Sequence, residues 1–166
     1  MKTLVLARHA KSDWPGGVAD IKRPLKERGQ ADASRQAALL ASQGFKPDLI
    51  ISSPAVRARQ TADIFARQLG YTHDIREERS VYFGDEGDLF TLIKSLPPAL
   101  NTVMIFGHNP TMEDAITFLL QSGIPFQMPT CGLACLEGLS YSWAQFEGRN
   151  IHLRWLLIPR LKRKER

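Results

Sequence analysis

The chain has 166 residues, with 22 Lys and Arg against 17 Asp and Glu, a net charge of +5, four His and two Cys. That length suits a single domain, 1–166, whose core needs no disulfide or metal to hold it, and no apolar run approaches the roughly 18 residues of a membrane span. Segment 160–166 holds five bases and one acid, so it accounts for +4 of the total; the rest is nearly neutral, the segment reads as a disordered, solvated tail, and neither nucleic acid nor membrane is expected as a partner.

Lys2 leads straight into Thr3–Ala7, an apolar run that reads as a buried strand and not as a signal peptide, which points to the cytoplasm. Residues 10–24 read as loop, with turn chemistry at Trp14-Pro15-Gly16-Gly17. A helix is predicted from Leu25 to Gln43 with Gly44 as its stop. Asp48–Ser52 is a second buried strand, followed by Ser53-Pro54 as N-cap and first-turn proline of a helix running to Leu69 and Gly70. The stretch 71–101 is less regular, with a short edge strand near His73–Arg76 and a helix from Asp88 to Leu96.

Thr102–Phe106 is a third buried strand, and Asn109-Pro110 repeats the cap-and-proline device before a helix to Gln121. Cys131 and Cys135 lie four apart, the spacing of neither a redox pair nor half a metal site, and read as reduced, buried thiols. Gly132–Glu137, Ser142–Phe146 and Ile151–Ile158 read as strands, the last two joined by a turn at 147–150. The alternation implies an α/β fold of three layers, αβα, whose mostly parallel central sheet gains antiparallel strands near the C-terminus.

Three strands end in polar clusters: Arg8-His9, then Ser52-Ser53-Pro54 with Arg57, then Gly107-His108-Asn109-Pro110. In a parallel sheet these tips share one edge, and two of them open helices whose positive ends face it. Two guanidiniums, two imidazoles and two helix mouths together suit a phosphoryl group and its three outer oxygens. His9, oriented by one ring nitrogen and free at the other, is the candidate nucleophile, and Arg8 and Arg57 disfavour its charged form. His108 would donate to a phosphoryl oxygen. Arg23 is a further candidate contact; Asp20 and Lys22 read as exposed loop charges, Trp14 as a neighbour of the site, Trp143 and Trp155 as core, and His73 and His152 as structural or exposed.

Leu6-Ala7-Arg8-His9-Ala10, Ser52-Ser53-Pro54 with Arg57 and Thr61-Ala62, and Gly107-His108-Asn109-Pro110 resemble the motifs of the histidine phosphatase superfamily, whose fold is called phosphoglycerate-mutase-like. Arg23-Pro24-Leu25 with Arg28-Gly29 resembles its SixA branch of phosphohistidine phosphatases, which also shares Ala10 in place of the superfamily's usual glycine. The resemblance implies that Arg8, Arg57 and His108 form the phosphate pocket and that His9 is phosphorylated in turnover. It calls for no cofactor and no metal.

Larger relatives carry an acidic general acid between the second and third motifs, and here Glu77, Glu78, Asp85, Glu86 and Asp88 match by type but none by motif; Glu78 is kept as the possible acid. An alkoxide needs a proton to leave, whereas imidazole, with a pKa of about 6.5, leaves with little help, so a missing acid favours P–N bonds. The function expected is hydrolysis of phosphohistidine in a protein by a monomer with an open site, rimmed by Lys11, Lys22, Arg23, Lys26 and Arg28. A small-molecule phosphomonoesterase of the same fold is the alternative, and a non-catalytic phosphate-binding or scaffold module is the alternative from another class.

Overall fold

The computed structural model describes residues 1–159; the basic segment 160–166 lies outside them. One sheet takes the strands in the order β3-β2-β4-β1-β5-β6. Strands β1 (Lys2–Arg8), β2 (Leu49–Ser52), β3 (Arg76–Glu77) and β4 (Thr102–Gly107) pair in parallel, while β5 (Leu133–Gly138) joins β1, and β6 (Ile151–Leu157) joins β5, antiparallel. This is the mostly parallel sheet expected, with its antiparallel additions at the C-terminal end of the chain.

Successive residues of β1 feed different layers because side chains alternate across a strand. Leu4 and Leu6 enter a core closed by α4 (Glu86–Lys94) and α5 (Thr111–Leu119), through Leu89, Ile93, Met112 and Ile116. Val5 and Ala7 enter the opposite core, closed by α1 (Glu27–Ser42) and α2 (Val56–Leu69), through Ala33, Ala37 and Phe65. Helices on both faces explain why β1 and β4 are apolar without alternation. Cys131 and Cys135 are buried and unpaired in the second core, where burial pushes both thiols up to about 12.

Several elements depart from the sequence reading, each for a local reason. Ser142–Phe146 is not a strand but a 3₁₀ turn, Trp143–Gln145. A strand would send residues three apart to opposite faces, whereas here the rings of Trp143 and Phe146 lie 5.2 Å apart in one core and the Trp143 indole donates to the Leu100 carbonyl at 2.8 Å. Helix α1 begins two residues late because Leu25 bridges to Ser12 and the Lys26 amide donates to the Lys11 carbonyl. Gly29 permits this approach: a Cβ there would stand 2.2 Å from the Lys11 oxygen.

The edge strand is Arg76–Glu77, not His73–Arg76, since Arg76 and Glu77 are the residues that align with Ile51 and Ser52. A short helix, α3 (Ser80–Phe83), was not legible in that stretch. Helix α4 starts before Asp88 because Asp85 and Asp88 form a reciprocal capping box. The cap-and-proline devices operate only in part. Ser53 Oγ accepts from the Ala55 N–H, but α2 begins later, at Val56, and is flanked by Ala55; α5 is flanked by Pro110, and Asn109 donates through Nδ2 to the Met128 carbonyl at 3.0 Å while its Oδ1 has no hydrogen-bond partner among the described residues.

Candidate active site

Register brings the three strand tips level. Arg8 of β1 aligns with Gly107 of β4, and Ser52 of β2 aligns with Phe106. Each pairing extends one residue past the strand, through His9 N–H to the Gly107 carbonyl at 3.0 Å and Ser53 N–H to the Phe106 carbonyl at 2.9 Å. His9, Ser53 and His108 therefore stand side by side at the carboxyl edge, where α2 and α5 also begin. The His9 and His108 rings are 5.2 Å apart.

The hydrogen bonds of His9 determine its tautomer. Nδ1 lies 2.7 Å from the Ala10 carbonyl, which can only accept, so Nδ1 carries the proton. Nε2 faces the Nε–H of Arg57 at 3.2 Å, which can only donate, so Nε2 presents a lone pair. Burial, with the charges of Arg57, Arg8 and Arg23 added and the Ala10 carbonyl opposing, lowers the His9 pKa to about 4. His108 is lowered to about 3, again chiefly by burial and then by His9 and Arg57. Both imidazoles are neutral at pH 7.

Ser53 links the second tip to the third. Its Oγ accepts from the Ala55 N–H at 3.1 Å and lies 2.7 Å from His108 Nε2. Ser53 Oγ keeps a second lone pair, so its bond with Nε2 is compatible with either direction; when the hydroxyl donates, the His108 proton sits on Nδ1. His108 Nδ1 is buried and has no hydrogen-bond partner among the described residues, and the same is true of Arg8 Nε. Arg8 is held by its Nη1, which donates to the Met128 carbonyl at 2.9 Å.

Arg57 is buried and divided between two neighbours. Beyond its bond to His9, Nη1 donates to the Asp20 carbonyl at 2.7 Å and Nη2 to the Asp20 carboxylate at 2.9 Å. Asp20 also accepts from Arg23 at 2.9 Å and from the Tyr82 hydroxyl at 2.8 Å, and the Tyr82 ring meets His108 edge-on at 5.4 Å. His9, Arg57, Asp20, Tyr82 and His108 thus close a circuit. Partial desolvation alone would raise the Asp20 carboxyl, but the bonds from Arg23, Tyr82 and Arg57 outweigh it and lower the pKa to about 2.

Arg8, His9, Arg57 and His108, singled out in the sequence, are brought together. Arg23 is not aimed at the same point: it is tied to Asp20, Ser12 and the Asp13 carbonyl, and its guanidinium stacks on exposed Trp14 at 3.9 Å. Of the acids, Asp85 and Asp88 cap α4, while Glu78 pairs with Arg76 at 2.9 Å and accepts from Ser80. Lys26 and Arg28 pair with Asp13 and Asp32, leaving Lys11 and Lys22 as rim cations without an ion pair among the described residues. Sequence reasoning assigned no role to Asp20 or Tyr82, because neither sits at a strand tip and Asp20 looks like one loop charge among several.

A model of the histidine phosphatase superfamily, branch 1, matches residues 4–85. The crystal structure assigned as phosphohistidine phosphatase SixA from Agrobacterium tumefaciens is 32% identical and superposes with a TM-score of 0.82, covering 95% of this chain and 98% of that one. The protein histidine phosphatase SixA complexed with tungstate superposes at 0.83 with 21% identity, over 95% and 97% of the two chains. A mycobacterial glucosyl-3-phosphoglycerate phosphatase superposes at 0.70 with 18% identity, over 92% and 97%. The last two likenesses are of fold.

Proposed function

The chain belongs to the histidine phosphatase superfamily, and from that premise we propose that it hydrolyses phosphohistidine displayed on a protein, through two phosphoryl transfers at His9. The observation that carries the reading is the state of His9: Nδ1–H is spent on the Ala10 carbonyl, and Nε2 holds a lone pair at neutral pH among cations that attract a phosphoryl group. Arg57, Arg8 through its unpartnered Nε, and His108 through Nδ1–H are the donors for the phosphoryl oxygens. They strengthen their grip as charge spreads in the transition state.

Phosphohistidine is favoured over an ester because no acid stands ready among the described residues. Glu78 is engaged by Arg76 and Ser80, and Asp20 is ionised throughout the neutral range. The likeness to a glucosyl-3-phosphoglycerate phosphatase keeps small phosphate esters as the second reading, in which Glu78 would protonate the leaving oxygen. A pure phosphate binder would have no use for an oriented, unprotonated imidazole. The partner is accordingly a protein bearing phosphohistidine, in the compartment where such proteins are made; for this chain we propose the cytoplasm, with the monomer as the active form.

The test is a chase with a protein phosphorylated on histidine with ³²P. Label should pass to inorganic phosphate through an acid-labile adduct on this chain, and His9→Ala should abolish both adduct and turnover while retaining phosphate binding. Arg57→Ala should lose about 10²- to 10³-fold in kcat, the usual cost of one donor to developing charge, and weaken phosphate binding as well. Full activity in His9→Ala would remove the mechanism.

A further inference from the structure

The roles proposed so far leave Asp20 unassigned, although more of the site's polar groups converge on it than on any of the four motif residues. Resting on the phosphohistidine reading, we propose that Asp20 is a catalytic residue that recognises the departing imidazole: it accepts a hydrogen bond from the N–H of the ring nitrogen that does not carry phosphorus, and so selects P–N over P–O bonds.

Position comes first. The Arg57 guanidinium presents Nε to His9 Nε2 and both terminal nitrogens to Asp20, so the carboxylate stands one guanidinium away from the attacking atom, within the circuit that returns through Tyr82 to His108. Capacity comes next. Oδ2 already accepts from Arg57 and Tyr82, whereas Oδ1 accepts only from Arg23. A carboxylate takes about four hydrogen bonds, two to each oxygen, so one acceptor position on Oδ1 remains. The Asp20 side chain is 41% exposed, whereas that of Arg57 is 7% exposed, so the remaining position is approached from outside, the side from which a substrate side chain arrives.

The chemistry matches this acceptor. Three donors keep Asp20 ionised, so it can receive a proton's hydrogen bond but has no proton to give, which disqualifies it as the acid for an alkoxide. A phosphohistidine protonated on its distal nitrogen has the opposite need. In the first transfer the His9 Nε2 lone pair forms the new N–P bond as the substrate's P–N bond breaks; that electron pair returns to the substrate ring, which already holds the distal proton and leaves as neutral imidazole. His9, keeping Nδ1–H on the Ala10 carbonyl, becomes the phosphorylated, cationic ring.

Water then forms the O–P bond, the P–Nε2 pair returns to His9, and both water protons depart on the phosphate as H₂PO₄⁻. The two rings exchange like for like. The Ala10 carbonyl holds the proton of one, and Asp20 holds that of the other.

The experiment compares kcat/KM for a phosphohistidine peptide and for p-nitrophenyl phosphate, whose phenolate leaves without a proton, in wild type, Asp20→Asn and Asp20→Glu. Loss of the grip on Arg57 lowers both activities in Asp20→Asn; loss of the charged acceptor lowers the peptide activity by about 10- to 100-fold more, the usual worth of a hydrogen bond to a charged group. Asp20→Glu, which retains a carboxylate, should restore part of that selectivity. Equal losses on the two substrates would mean that Asp20 only positions Arg57, and would overturn the inference while leaving the proposed function intact. A wild type that turns over only the ester overturns both.

Discussion

Lowering the pH from 7 to 5 is expected to destabilise the folded chain by about 4 kcal/mol, half of it from His9 and half from His108. Burial, the largest cause for both, sets their folded pKa values at about 4 and about 3, against the ordinary 6.5. Between those limits the unfolded chain binds protons that the native state refuses, so this contribution is fully present above pH 6.5 and is lost as the pH falls. With one unit equal to about 1.36 kcal/mol, linkage gives about 2 kcal/mol for each ring between pH 7 and 5. Asp20 does not enter, because its folded value of about 2 and its ordinary 3.8 both lie below that window. Urea unfolding at the two pH values measures the difference, and His108→Gln should halve it. A wild type that loses less than about 1 kcal/mol, or a variant that loses as much as the wild type, would refute the account of two neutral, desolvated rings.

Two further outcomes are expected. Trp143→Ala should cost about 3–5 kcal/mol in chemical denaturation, since it removes a fully buried ring packed on Phe146 and leaves the Leu100 carbonyl without its indole donor. Glu78→Gln should alter phosphohistidine turnover by less than about twofold, because its partners are a partly exposed Arg76 and Ser80; a loss of about 10²-fold, the lower end of what a general acid supplies, would favour the ester-hydrolase reading.

Much of the architecture is written in local signals. Thr3–Ala7, Asp48–Ser52 and Thr102–Phe106 announce strands buried on both faces, and the polar residue after each falls at the same edge because parallel pairing leaves no other arrangement. What stayed hidden is what depends on distant partners. Trp143 and Phe146 have strand-forming composition, yet one core takes both rings and the chain coils to supply them. Ser53 and Asn109 carry the residue types of helix caps, but Ser53 also meets His108, and the Asn109 side chain is turned by its Nδ2 bond to the distant Met128 carbonyl. Asp20 is the sharpest case: its neighbours Arg57 and Tyr82 lie 37 and 62 residues downstream, and nothing in the loop's own composition separates it from Asp13 or Lys22.

The two halves of the site are fastened by different means. His9 belongs to a chain of main-chain bonds in the middle of the sheet, flanked by β4 and β5, so its amide proton should exchange with solvent only when the whole fold gives way. Asp20 reaches the same point from the 3₁₀ turn Asp20–Lys22, and apart from its carbonyl on Arg57 it does so through side-chain tips. A floor held by main-chain bonds and a wall held largely by side chains follow. Substitution of Arg23 or Tyr82 should therefore loosen Asp20 while the main-chain bonds that seat His9 stay in place.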